Sequence, residues 1–178
     1  MWGRPTLPRH SCRFTRARTQ AIYIKSRPGR GAFIEDIVAD DLDISGAAGG
    51  FLRLNILNSG IQDQDPVPGD EGIPTVRNFR FSNVRVKDCP VLVDGTAIHP
   101  NKPLDGFSLT HVKGECAKGI SLANVKNAVI SDIEVTGLNG PLIGIHNVTG
   151  KGLKDAVPID GPKVPDPIPA PVRPYTLR

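Results

Sequence analysis

The stretch VRNFRFSNVRV, residues 76–86, places apolar side chains at Val76, Phe79, Phe81, Val84 and Val86. The steps of two residues belong to strands with one buried face. The steps of three are corners, where the chain turns and regains its inward face. Three other segments keep the same 0, 3, 5, 8, 10 spacing. They are Ile34, Ile37, Ala39, Leu42, Ile44; then Leu104, Phe107, Leu109, Val112, which breaks at Gly114; then Val125, Ala128, Ile130, Ile133, Val135. The starts lie 42, 28 and 21 residues apart. A second alternating run follows each unit: Leu52 to Ile56, Val91 to Val93, Ile120 to Leu122, and Ile143 to Ile145. Repeats of this length, made of several short strands, predict an all-β protein: a right-handed parallel β-helix of about four coils over residues 21–155.

The long first spacing reflects an insertion, LNSGIQDQDPVPGDEGIP (57–74), with the composition of a surface loop. Just before the fourth apolar position of each unit stand Asp41, Asn83, His111 and Asp132. Asp and Asn tolerate left-handed backbone, so this column is expected to be a corner. That reading turns DDLD (Asp40, Asp41, Asp43) from a candidate carboxylate pair into a solvent-facing turn, and it makes His111 structural as well. His99 and His146 have no partners at ligand spacing, so no metal site is expected. Cys12, Cys89 and Cys116 form no CxxC and no even-numbered framework, which argues against structural zinc and leaves disulfides unassigned.

The 178 residues suffice for one domain, and 19 Gly and 17 Pro against 5% aromatics favour short segments joined by turns. The net charge of +4 belongs to the head. Residues 1–20 hold five arginines and no acid, and the remainder holds 17 basic and 18 acidic residues. The head has no apolar signal-peptide region, so no secretion signal is visible, and it is expected to be a disordered or artefactual leader. No run of 18 apolar residues predicts a membrane span. Nucleic-acid binding is also not expected, since the strands carry few aromatics to stack bases. From 156 to 178, seven prolines predict an extended tail, because proline cannot donate to a strand ladder.

The run AIYIKSRPGRGAFIEDI (21–37) then gives these repeats a context. Tyr23-Ile24-Lys25 ends a strand, Gly29-Arg30-Gly31-Ala32 makes a turn, and the coil FIEDIVADDLDI follows. Together they resemble the C-terminal part of glycoside hydrolase family 28, the polygalacturonases and their relatives. The family's version is a strand ending in Arg-Ile-Lys, a Gly-Arg-Gly-Gly turn and a coil of the form V-x-N-I-x-F-x-N-I. Residues 76–86 fit the next coil, and the resemblance covers roughly 21–155. It implies hydrolysis of O-glycosidic bonds in a pectin-like polysaccharide, galacturonan or rhamnogalacturonan, without a cofactor. Family members are usually secreted or periplasmic.

The resemblance implies that Lys25 and Tyr23 contact substrate, with Lys25 at the rim of a sugar-binding cleft. Arg27 and Arg30 are candidates for the same lining, and Gly29 and Gly31 are turn residues. Tyr23 stands where the family has arginine, which opens a neutral sugar as an alternative at that subsite. Family members also carry Asn-Thr-Asp, Asp-Asp and Gly-His-Gly motifs upstream of the lysine, and none precedes Lys25 here. Inverting hydrolysis needs a carboxylic acid and a carboxylate base roughly 6.5–9.5 Å apart. Lys25 supplies neither, so no catalytic residue is assigned and this chain alone is expected to be inactive. The alternative is a non-catalytic β-helical module that binds carbohydrate or a protein partner. Only Ile22 and Ile24 precede the first complete coil. The open end near Ile24 and Ile34 is therefore expected to associate end to end.

Overall fold

A computed structural model describes residues 11–62 and 65–169. It is all-β, with strands β1 (Cys12–Thr15), β2 (Gln20–Lys25), β3 (Phe33–Ser45), β4 (Gly50–Asn55), β5 (Thr75–Ala97), β6 (Leu104–Thr136), β7 (Ile143–Lys151) and β8 (Val157–Pro158). The described residues contain no α-helix; one 3-10 turn spans Gly69–Gly72. Every strand pairing is parallel, in the order β1-β3-β5-β6-β7-β8, with β4 joining β2 to β5.

The register follows the sequence repeat. Ile34 pairs with Val76, Ile37 with Phe79 and Leu42 with Val84, and Phe79 in turn pairs with Phe107 and Val84 with Val112. The unit at 125–135 stacks on that at 104–114 within the long β6. Asn127 donates to Asp105 at 2.6 Å, His111 meets Asp132 at 3.4 Å, and an ion pair joins Lys113 to Glu134. The inward columns form a continuous core in which Phe51 meets Phe81 edge-on at 5.8 Å and Phe107 lies 6.2 Å from Phe81. Both three-residue steps are left-handed corners. Asp41, Asn83, His111 and Asp132 have φ of 58°, 53°, 55° and 53°, and Asp36, Asn78, Gly106 and Asn127 occupy the other column at 57°, 59°, 82° and 55°. The break at Gly114 has a steric cause. Its φ is +128°, and a Cβ there would sit 1.9 Å from the Val86 carbonyl oxygen.

Side chains on the outer surface form ladders between successive passes. Arg77 binds Glu35, Asn78 donates to Asp36 at 2.9 Å, and Arg85 binds both Asp43 and Asp41. Hydrogen bonding from Arg85 holds the Asp43 carboxyl below the usual carboxylate range, against the opposing effect of desolvation. Inside, Asn124 is 1% exposed with φ of +55°. It donates to the Ile98 carbonyl at 2.8 Å and accepts from the Asn147 amide at 2.9 Å.

The expected disorder of the leader does not hold over its described part. Residues 1–10 of the presumed leader lie outside the described residues, but Cys12–Thr15 is a strand in register with Leu42–Ser45. Phe14 packs on the core although Arg13 beside it is exposed. The consequence is visible in the burial. Leu42 and Ile44, under β1, are 2% exposed, whereas Ile34, Ile37 and Ala39 in the same strand stay only partly buried. The described part of the tail docks on the strands. Ile159 N–H donates to the Ile145 carbonyl at 3.1 Å, and Ile159 packs over Gly144. Further on, the Gly69 N–H donates to the Ile168 carbonyl at 3.2 Å, and Ile168 seats against Gly29. Residues 159–168 thus run back from β7 to the loops ahead of β3 and β5. They enclose a cavity of about 330 Å³ lined by Val164 and Ile168 against Pro28, Asp70, Ile73 and His99.

Candidate functional site

In β2, Ile22 and Ile24 pack against the core, and period two turns Tyr23 and Lys25 to the other side. Parallel register carries that outer position forward: Tyr23 pairs with Arg53, Arg53 with Asp94, and Asp94 with Ser121. Lys25 pairs with Asn55. The outer face therefore groups an aromatic ring, two cations and one carboxylate within a few residues of each other.

Local contacts fix the ring. Arg53 lies 5.5 Å and Lys25 5.8 Å from the Tyr23 centroid, both within cation–π range. The Tyr23 hydroxyl shares a 2.8 Å hydrogen bond with the Ser59 hydroxyl. Ser59 is brought there by a turn that Asn55 builds. The Asn55 side-chain oxygen accepts from the N–H groups of Leu57 (3.3 Å) and Asn58 (3.1 Å), and its amide donates to Asn58 at 2.8 Å. This is the side-chain-to-backbone bonding for which Asn is favoured in turns. Arg53 also forms an ion pair with Asp94 at 3.4 Å, with both side chains 39% exposed. Lys25 remains exposed at the end of its strand. Arg53 is thus largely neutralised, and the face presents Lys25 as its outward positive charge.

Arg27 and Arg30 do not line this face. Arg27 donates to the Gly60 carbonyl at 3.0 Å and Arg30 to the Ile61 carbonyl, so the two arginines hold the Ser59 loop from behind. The glycines beside them serve close packing as well as the turn. The N–H groups of Gly29 and Gly31 both donate to the Gly72 carbonyl at 2.8 Å. At Gly29, φ is +96°, and a Cβ would lie 2.7 Å from Ile168. The insertion 57–74, expected as a surface loop, is anchored through this clasp, and Leu57 and Ile73 are buried.

The other candidates disperse over the molecule. Asp41 and Asp43 are held by Arg85. His111 pairs with Asp132 at 3.4 Å on the exposed corner. His99 is buried, and its Nδ1 accepts from the Asn101 N–H at 3.1 Å; burial pushes its pKa down. His146 lies against Gly161 of the tail. Among the described residues, no group of three His, Cys, Asp or Glu side chains is arranged to hold a metal ion. Sequence reading missed Arg53, Asp94, Ser59 and Asn55. Arg53 and Asn55 were detectable as the polar positions of the alternating run Leu52–Ile56. Asp94 and Ser59 reach the face only through register and the loop clasp. No protein-family model, curated protein or solved structure matches this chain.

Proposed function

We propose that this chain is the C-terminal, substrate-facing part of a polygalacturonase-like glycoside hydrolase of family 28. In this reading the parallel sheet winds as a right-handed β-helix, the hand favoured for parallel crossovers. Its Tyr23–Lys25–Arg53 face binds an acidic pectic polysaccharide. One observation carries the reading. Lys25, which the family resemblance assigns to substrate, stands exposed beside a tyrosine whose ring is braced by Arg53 and Ser59. A fixed aromatic body with a polar rim suits a sugar ring, and a neighbouring ammonium suits a uronate carboxylate.

The same face argues for binding rather than cleavage by these residues alone. On the paired strand positions from Tyr23 to Ser121, Asp94 is the carboxylate, and it is engaged with Arg53. Inverting hydrolysis requires two carboxyl groups roughly 6.5–9.5 Å apart. The acid and base of the parent reaction therefore belong outside this face.

Calorimetric titration with galacturonic-acid oligomers tests the proposal. Binding is expected to weaken with added salt. Lys25→Ala should lower affinity roughly two- to fivefold, the scale of an exposed charge pair. Release of reducing ends from polygalacturonate should stay at the no-protein level. Unchanged affinity in both Lys25→Ala and Tyr23→Ala would refute the assignment of this face.

A further inference from the structure

Cys89 and Cys116 stand apart from the face just described and have no role in it. They are register partners in the parallel pairing of β5 with β6, just after the irregularity that follows Val86. Both are buried, at 4% and 1% exposure, and both belong to the core cluster. Their side chains repeat one local geometry. The Cys89 thiol donates to the Val91 carbonyl at 3.2 Å and the Cys116 thiol to the Lys118 carbonyl at 3.0 Å, each two residues ahead. Register pairing on adjacent strands sets the two side chains beside each other. Neighbouring strands lie about 4.8 Å apart, so paired Cα atoms fall inside the 4.4–6.8 Å window of disulfides.

We propose that Cys89 and Cys116 are a site of oxidative modification, at which a small-molecule disulfide such as oxidised glutathione converts them into an intrachain bridge between adjacent passes of the chain. The exchange takes one thiol at a time, for instance Cys116 first. Its thiolate attacks one sulfur of oxidised glutathione, forming a Cys116–glutathione mixed disulfide and releasing one glutathione thiolate, which takes a proton. Cys89 then loses its proton and attacks the Cys116 sulfur. The Cys89–Cys116 bond forms and a second glutathione leaves. The protein loses two electrons and two protons, and one oxidised glutathione becomes two reduced ones. Cys12 is exposed and in the other direction of the stack, paired with Leu42, so it serves as an internal control.

The test uses the full chain equilibrated in glutathione buffers of graded redox ratio, then quenched, denatured, alkylated and digested. The expected product is a peptide pair joined through Cys89 and Cys116, with Cys12 alkylated or singly glutathionylated. Bridging should raise the thermal midpoint by about 5–10 °C, the scale of a native disulfide in a chain of this size. Cys89→Ser should trap the mixed disulfide on Cys116 and abolish the rise. Because burial slows access, the same analysis is repeated during refolding from denaturant in the redox buffer, where both thiols start exposed. Full alkylation of Cys89 and Cys116 after both protocols, or bridges through Cys12 in preference, would overturn the proposal.

Discussion

Replacing Asn124 by alanine separates the two roles that the structure gives this residue. Asn124 is buried, with φ of +55°, and it bridges the Ile98 carbonyl at 2.8 Å and the Asn147 amide at 2.9 Å. Alanine removes a buried donor and a buried acceptor, and the Ile98 carbonyl loses this partner at a cost of about 1–3 kcal/mol. Alanine keeps a Cβ in left-handed backbone, a strain of about 1–2 kcal/mol that asparagine also bears and only glycine relieves. The loss of about 1–3 kcal/mol is a large share of the ~5–15 kcal/mol that holds an ordinary domain. Asn124→Gly loses the same hydrogen bonds but escapes the steric cost, and its extra unfolded-state entropy returns about 0.5–1 kcal/mol. The expected order of stability is wild type, then Gly, then Ala, with the two variants less than ~1.5 kcal/mol apart. Urea denaturation followed by far-ultraviolet circular dichroism measures it, with the slope unchanged. Asn147→Ala, at an exposed position, should cost less than either. An alanine variant within ~0.5 kcal/mol of wild type, an effect the size of a neutral surface change, would refute the reasoning. So would a glycine variant less stable than alanine.

Gly114→Ala should prevent a cooperative native state, because its Cβ would sit 1.9 Å from the Val86 carbonyl oxygen and neither backbone can yield without breaking the pairing; a normal melt would contradict this. Arg85 lowers the pKa of Asp43 in the folded chain, so this contact stabilises the fold above the unfolded carboxylate pKa of about 4 and is lost as pH falls through the lower folded value. Acid titration of stability in wild type and Arg85→Ala should therefore converge at low pH; parallel curves would exclude the linkage. His99 also has a lowered folded pKa, chiefly from burial. Its neutral form contributes stability above the unfolded value of about 6.5, and this fades as pH drops from there toward the folded pKa. His99→Gln should flatten the wild-type stability profile between about pH 7 and pH 5, and an unchanged slope would count against the assignment.

The repeat was readable because it is written locally. One spacing of apolar residues sets which side chains face inward, and parallel stacking preserves it, so Ile34, Val76 and Leu104 align by spacing alone. Corner conformations were equally readable, since Asp and Asn at Asp41, Asn83 and Asp132 bring their own tolerance of left-handed backbone. The strand Cys12–Thr15 was not readable. Its pattern is only four residues long and lies in an arginine-rich stretch, and it forms because β3 offers an unpaired edge and a slot for Phe14. The tail's path was hidden for a related reason: prolines keep its pairing to the short β8 but permit docking, and Gly29 and Gly69 lie far away in sequence.

The candidate site divides along the same line. Tyr23 and Lys25 are outward by strand alternation and are adjacent in the chain. Arg53 and Asp94 join them only because register places residues 30 and 71 positions away on the same row. Ser59 arrives through a turn made by Asn55 and held by Arg27 and Arg30. The sequence by itself determined the inward face, the corners and the parallel stacking, because each follows from the spacing and backbone preference of neighbouring residues. Only the tertiary structure decided what covers the ends, which thiols meet and which charges share a face, because those contacts depend on how far the chain travels before it returns.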